Sequence, residues 1–195
     1  MNNRLNEILE EIRELEKSVQ DEMKRRQEEL RYKIRKGKVI FDEEFLQIQG
    51  KYSFPIVRYV LGARLTVLLT APVIYAMFLP AVFMDFGISV YQMICFRVYG
   101  IPKVRRDVHF FFDQHYLKYL NSIEKMNCIF CSYFNGLASY ISEIAARTEQ
   151  YWCPIKHASG SSKRHSRYHH FVDYGDAEAY RLRLAEIRNK YDDLE

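Results

Sequence analysis

Leu5, Ile8, Ile12, Leu15 and Val19 alternate spacings of three and four. That is the a/d seam of a heptad repeat, which predicts one long helix over residues 3 to about 36. Beyond Val19 the seam weakens, because Glu22 and Arg26 fall where apolar residues belong. Met23, Leu30 and Ile34 continue a looser stripe. Charges of both signs alternate along the flanks, as in EEIRELEK and EMKRRQEELR. Two such helices bury their seams against each other, so residues 1–37 are expected to be a coiled coil that makes a homo-oligomer. Gly37 is the expected helix stop. Residues 38–55 read as a connector with a further helical turn at most.

The next block has no polar face at all. From Leu65 to Met84 runs LTVLLTAPVIYAMFLPAVFM, twenty residues without a charge. Asp85 interrupts, and the chain then stays uncharged to Arg97. About twenty apolar residues suffice to cross a bilayer, and prolines such as Pro72 and Pro80 are tolerated there. The block 56–99 is therefore expected in a membrane, by one of two topologies. One is a single span over 65–84, ended by Asp85. The other is a helical hairpin, about 56–79 and 81–99, that turns near Pro80. As one helix, 65–96 would measure about 48 Å at 1.5 Å per residue, more than a hydrocarbon core of about 30 Å. Basic residues flank both ends: Lys51, Arg58 and Arg64 before, then Arg97, Lys103, Arg105 and Arg106 after. A hairpin keeps both flanks on the cytoplasmic side, as the positive-inside rule favours, so the hairpin is the preferred expectation. Asp85 would then be an intramembrane polar residue, in need of an interface, a proton or a partner.

Past Tyr99-Gly100-Ile101-Pro102 the chain turns. Lys103, Arg105 and Arg106 form a basic cluster beside the apolar block, suited to anionic headgroups at the membrane surface. Residues 108–148 show a helical stripe of Tyr116, Tyr119, Leu120, Ile123, Met126 and Ile129. Gly136 in this stretch marks a break or a close-packing point. His109 and His115 flank aromatics in the same predicted helix. Residues 159–175 read as a basic linker. A closing helix is expected over 176–192, buried through Tyr180, Leu184, Ile187 and Tyr191. The fold class is thus mainly α: a coiled-coil helix, a membrane hairpin or single span, and a small helical C-terminal domain over 100–158 followed by the last helix in 176–195.

Composition alters this picture little. The net charge of +4 is too weak to argue for nucleic acid, and none is expected as a partner. The 15 Tyr and 13 Phe suit a membrane interface as well as a dense core. The charged N-terminal stretch has no early apolar segment of the secretory kind. No phosphate-cradling glycine loop, G-x-S-x-G or H-E-x-x-H occurs, so the chain does not read as an enzyme.

One set of residues does suggest chemistry. Cys128 and Cys131 form C-x2-C in NCIFC, and Cys153 and His157 form C-x3-H in WCPIKH. Three thiolates and one imidazole make a tetrahedral set for Zn2+, with iron as the alternative. Closing it requires a helix–turn–helix in which Ser139 to Gln150 supplies the connector. Four protein ligands leave no open position for substrate, so such a site is structural. Two other readings stand beside it: an iron or Cys128/Cys131 dithiol used for electron transfer, and cysteines that simply pack without metal. Cys95 reads as a packing residue. His165, His169 and His170 lie in a Ser/Lys/Arg-rich stretch and read as solvated. Glu124, Glu143 and Glu149 read as ion-pair partners for neighbouring basic residues.

The strings VYGIPKVRRD, NCIFCSYFNG and EIAARTEQYWCPIKHA, with the tail FVDYGDAEAYR, resemble an uncharacterised bacterial membrane-associated family with the motifs NCxxC and RTEQYWCPIKH. The likeness covers the apolar block through His157 and the tail from Phe171 to Arg181. It implies a bacterial source and the inner membrane, with the soluble parts facing the cytoplasm. It implies no activity, cofactor or partner. Together these expectations describe a membrane-anchored scaffold or assembly protein whose partners are the lipid bilayer and its own copies.

Overall fold

The computed structural model describes residues 2–35, 38–159 and 165–194. The chain is mainly α-helical and forms two compact units. The first comprises residues 1–62 and 113–128, the second 63–112 and 129–195.

The first unit begins with helix α1, Asn2–Glu29. It ends earlier than the heptad pattern predicts. Arg31 takes a left-handed φ of 49°, and the chain turns into a hairpin of β1 (Tyr32–Arg35) and β2 (Lys38–Phe41). Tyr32 sits opposite Phe41 with ring centroids 5.5 Å apart, a cross-strand aromatic pair that fixes the register. The apolar stripe through Ile34 is thus strand alternation rather than helix periodicity. Gly37, the expected helix stop, lies outside the described residues. The expected connector is β2 followed by helix α2, Glu43–Lys51. Helix α3 (Ile56–Gly62) follows. Within this unit buried Gln49 accepts from the Lys118 amide at 3.0 Å, and Asn121 Nδ2 donates to the Phe54 carbonyl at 3.3 Å.

The second unit opens with helices α4 (Leu65–Ala76) and α5 (Phe78–Tyr91), a π-helical turn (Gln92–Phe96) and α6 (Arg97–Tyr99). These run on as one helix, Leu65–Tyr99. The chain does not turn back at Pro80. That residue falls in the first turn of α5, where a proline's missing N–H costs nothing, so it does not break the helix. Gly100 stops the helix with a left-handed φ of 70°, and the Ile101 amide bonds back to the Phe96 carbonyl at 2.9 Å.

Residues 108–121 are not the start of the helix that the stripe predicts, and the whole stretch 101–121 is irregular. It forms a loop with short 3-10 turns at Arg106–Val108 and Gln114–Tyr116. Helix α7 then runs from Ser122 to Trp152. Asn121 starts it: its Oδ1 accepts from the Ile123 and Glu124 amides at 3.0 Å, and Glu124 Oε2 accepts from the Asn121 amide at 2.8 Å. That reciprocal capping box satisfies the orphan donors of the first turn.

From Phe130 onward α7 lies beside the long apolar helix, in the same direction. Tyr75 meets Phe130 and Phe78 meets Tyr133, with centroids 5.7 and 5.2 Å apart. Further along, Gln92 Nε2 donates to the Tyr140 hydroxyl at 2.9 Å, and Tyr99 stacks edge-on to Trp152 at 5.3 Å. The core of Phe96, Ile101, Val104, Tyr140 and Ile144 sits at the later end of this pair. Gly136 proves to be a close-packing point. A Cβ there would lie 2.8 Å from Phe110 Cδ1 and 2.9 Å from the His109 carbonyl oxygen. Helix α8 (Ala177–Arg188) closes the unit, capped by Asp176, which accepts from the Ala179 amide.

Candidate functional site

The two halves of the Cys/His set lie far apart. The expected connector, Ser139 to Gln150, is not a turn but the middle of α7. From 131 to 153 the helix axis advances about 33 Å. A tetrahedral zinc site needs its ligand atoms within about 4 Å of one another. The structure therefore does not assemble Cys128, Cys131, Cys153 and His157 around one ion within a chain. Between the pairs there is no proline and one glycine, Gly136, and the expected connector Ser139 to Gln150 has neither, so the helix runs through it. Cys128 is half-buried, while Cys131 and Cys153 are exposed.

What surrounds Cys153 and His157 is a different construction. The Cys153 amide ends α7 on the Glu149 carbonyl at 2.8 Å. Residues 154–156 then pair with Val172: its amide donates to the Pro154 carbonyl at 2.9 Å and its carbonyl accepts from the Lys156 amide at 2.7 Å. The Tyr168 hydroxyl accepts from the His157 amide at 2.9 Å. His157 itself points outward, with its side chain 66% exposed and Nε2 4.0 Å from Glu149 Oε1. The other Glu149 oxygen lies 3.0 Å from His165 Nε2. Burial pushes the Cys153 thiol up from its ordinary value, and the negative charge of Glu149 adds to it. A reactive or metal-poised thiol needs the opposite shift.

The described part of 159–175 is not a solvated linker. Arg167, Tyr168, Phe171 and Val172 are buried. Arg167, only 1% exposed, is the polar centre of the unit. Its Nε donates to Gln150 Oε1 at 2.6 Å. Nη2 donates to the Lys190 carbonyl at 2.7 Å, and both terminal nitrogens reach the Asp193 carboxylate at 2.8 and 2.9 Å. Gln150 in turn donates to the Ile187 and Lys190 carbonyls at 2.8 Å. One turn earlier on α7, buried Arg147 pairs with Glu143 at 2.9 Å and donates to the Pro102 carbonyl at 2.8 Å. The string RTEQYWCPIKH thus ties the 100–112 loop, the 165–172 segment and the C-terminal tail to α7. Its conspicuous polar residues serve packing. Arg147, expected only as an ion-pair partner for a glutamate, does pair with Glu143; Gln150 was passed over, and its signal was an amide group on the face α7 shares with Tyr140 and Ile144.

His169 and His170 are not simply solvated either. The 3-10 turn Tyr168–His170 brings their rings within 3.8 Å, with His170 Nε2 3.6 Å from Asp193 Oδ2. Burial, then the electrostatic influence of neighbouring His169 and Arg167, hold the His170 pKa below its ordinary value.

Asp85 has the partner it needs. Arg106 pairs with both of its oxygens, by Nη1 to Oδ1 and by Nη2 to Oδ2 at 2.9 Å. Tyr133 donates to Oδ2 at 2.9 Å and Ser89 to Oδ1 at 3.4 Å. Arg105 pairs with Asp107. Two members of the expected basic cluster, Arg105 and Arg106, are thus neutralised within the fold, and Lys103 is exposed.

In the first unit a cavity of about 340 Å³ is lined by Leu30, Tyr32, Phe41, Phe45 and Leu117, with Asp113 as its lone carboxylate. One acid among apolar walls supplies no acid–base pair. No known protein family, curated protein or solved structure matches this chain.

Proposed function

We propose that this protein is a membrane-anchored scaffold, held in the bilayer by the charge-free stretch 65–84 of its long helix. The observation that carries this reading is exposure without amphipathicity. Among the described residues Leu65–Tyr99 is the helix long and apolar enough to cross a membrane. Within 65–84 only Ala81 is buried, and exposed apolar residues lie on opposite sides of α4: Leu65 and Leu69 about 70% exposed on one, Val67 and Ile74 56% and 50% exposed on the other. In water so much apolar surface is a liability; in lipid it is the normal state. Twenty residues at 1.5 Å per residue give about 30 Å, the thickness of the hydrocarbon core. The Asp85–Arg106 pair then stands at the headgroup boundary, and the core around Phe96 lies beyond it. The anchor is the single stretch 65–84, since the helix runs through Pro80. By the sequence resemblance, the membrane is the bacterial inner membrane.

Self-association through α1 belongs to the same reading. Ile12, Leu15, Val19 and Met23 line one face of α1 and are all exposed, as a seam awaiting a second copy would be. The scaffold reading needs no metal at the cysteines. It rests on an anchor, an oligomerising helix and polar clusters that hold the fold together.

The anchor is tested by placing lysines at Leu69 and Val73. Each lysine at mid-helix costs about 2.5–3.5 kcal/mol on insertion scales. The wild-type chain is expected to stay in the membrane pellet after alkaline carbonate extraction, and the double variant to leave it. A wild-type chain that stays soluble and monodisperse without detergent would sink the proposal.

A further inference from the structure

We propose that His169, His170 and Asp193 form a binding site for one divalent transition-metal ion, zinc being the ion they suit best. Two imidazole nitrogens and one carboxylate oxygen lie within 4.8 Å of one another. Zinc bonds of about 2.0–2.2 Å place ligand atoms a little over 3 Å apart, so a small rotation of exposed His169 closes the set. The mixed nitrogen and oxygen donors favour zinc over calcium or magnesium, which take oxygen shells.

An independent observation points to the same place. His170 Nε2 is buried and has no hydrogen-bond partner among the described residues. At 3.6 Å, Asp193 Oδ2 is too far to accept from it. A buried polar atom left unpaired in a folded protein calls for a water or an ion. The carboxylate is also held in place. Arg167 bonds both of its oxygens, and each keeps a second lone pair for a cation. That arrangement is an outer partner fixing a metal ligand's orientation. The guanidinium charge weakens cation binding in turn, so the affinity lies below that of a shell without it.

Such an ion would fasten the turn before Phe171 to the tail beyond α8, with water in the fourth position. It shares no ligand with the Cys128/Cys131/Cys153/His157 set, so the two can be tested apart. Untagged full-length protein in detergent micelles is stripped with a chelator and titrated calorimetrically with zinc, then with cobalt while the visible spectrum is recorded. One ion per chain is expected, without the sulfur-to-cobalt charge-transfer band that a thiolate would give. His169→Ala should weaken binding by on the order of a hundredfold, since losing even an outer partner costs about 10–100-fold. His170→Gln should do the same, and Cys131→Ser with Cys153→Ser should leave binding unchanged. Circular dichroism of each variant verifies the fold. Absence of binding, binding that survives both histidine variants, or binding lost only with the cysteines would overturn the site.

Discussion

At the residue scale, the tightest constraint is the missing side chain at Gly136. Alanine there would gain about 1 kcal/mol of helix propensity. It would also press a Cβ to 2.8 Å from the Phe110 ring and 2.9 Å from the His109 carbonyl, and a backbone oxygen cannot swing away. Overpacking of this kind costs about 1–3 kcal/mol, so Gly136→Ala is expected to destabilise the second unit by up to about 2 kcal/mol net. Chemical denaturation in detergent would show it as a lower midpoint. Cys153 offers a pH test. Burial and Glu149 raise its pKa, so at a given pH less thiolate is present than in the unfolded chain. Its alkylation rate, followed peptide by peptide in mass spectrometry, should therefore rise at higher pH than in denatured protein. Glu149→Gln removes the second cause and should move that curve back down. A curve lying below that of the denatured chain would contradict the geometry.

At the element scale, what the sequence disclosed follows from how local each cause is. The apolar helix was legible because twenty uncharged residues need no tertiary information. The closing helix α8 was legible for a similar reason, whereas Gly136 read as either a break or a close-packing point until Phe110 and the His109 carbonyl decided it. The end of α1 was not, because Ile34 fits a helical stripe and a strand equally well, and the Tyr32–Phe41 pairing decides between them. The start of α7 was misplaced for a related reason: the Tyr116–Tyr119–Leu120 stripe has helical spacing, but the cap lies at Asn121. The N-S-I-E capping pattern was the available signal. The cysteine–histidine set was misread because spacing alone says nothing about whether a helix turns back between two pairs. Asn121→Ala tests the cap directly. It removes the acceptor for two amides and a bond to the Phe54 carbonyl, at a cost of about 1–2 kcal/mol. Hydrogen exchange at the Ile123 and Glu124 amides should quicken, while amides near Ile144 keep their protection.

At the scale of the whole molecule, two independent sources of order are at work. One, in the membrane-anchor reading proposed above, is lipid solvation of the 65–84 stretch, which depends on no tertiary contact. The other is the polar lattice around Arg167, which gathers α7, the 165–172 segment and the tail. A chain cut after Arg188 separates them. It loses the Asp193 carboxylate, the Lys190 carbonyl that accepts from both Arg167 and Gln150, and the Tyr191 ring 5.3 Å from the guanidinium. Among the described residues the Arg167 guanidinium would keep only Gln150 as a hydrogen-bond partner, in a site that admits almost no water. Stranding a buried charge costs about 3–5 kcal/mol. Whole domains hold only about 5–15 kcal/mol, so the region around Arg167 should open in the truncated chain. Trypsin should then cut near Arg167 and Arg147, sites that are buried in the intact protein. The same truncated chain should still resist carbonate extraction, because the 65–84 stretch is untouched. Loss of membrane attachment together with protease resistance would mean that anchor and lattice are one structure.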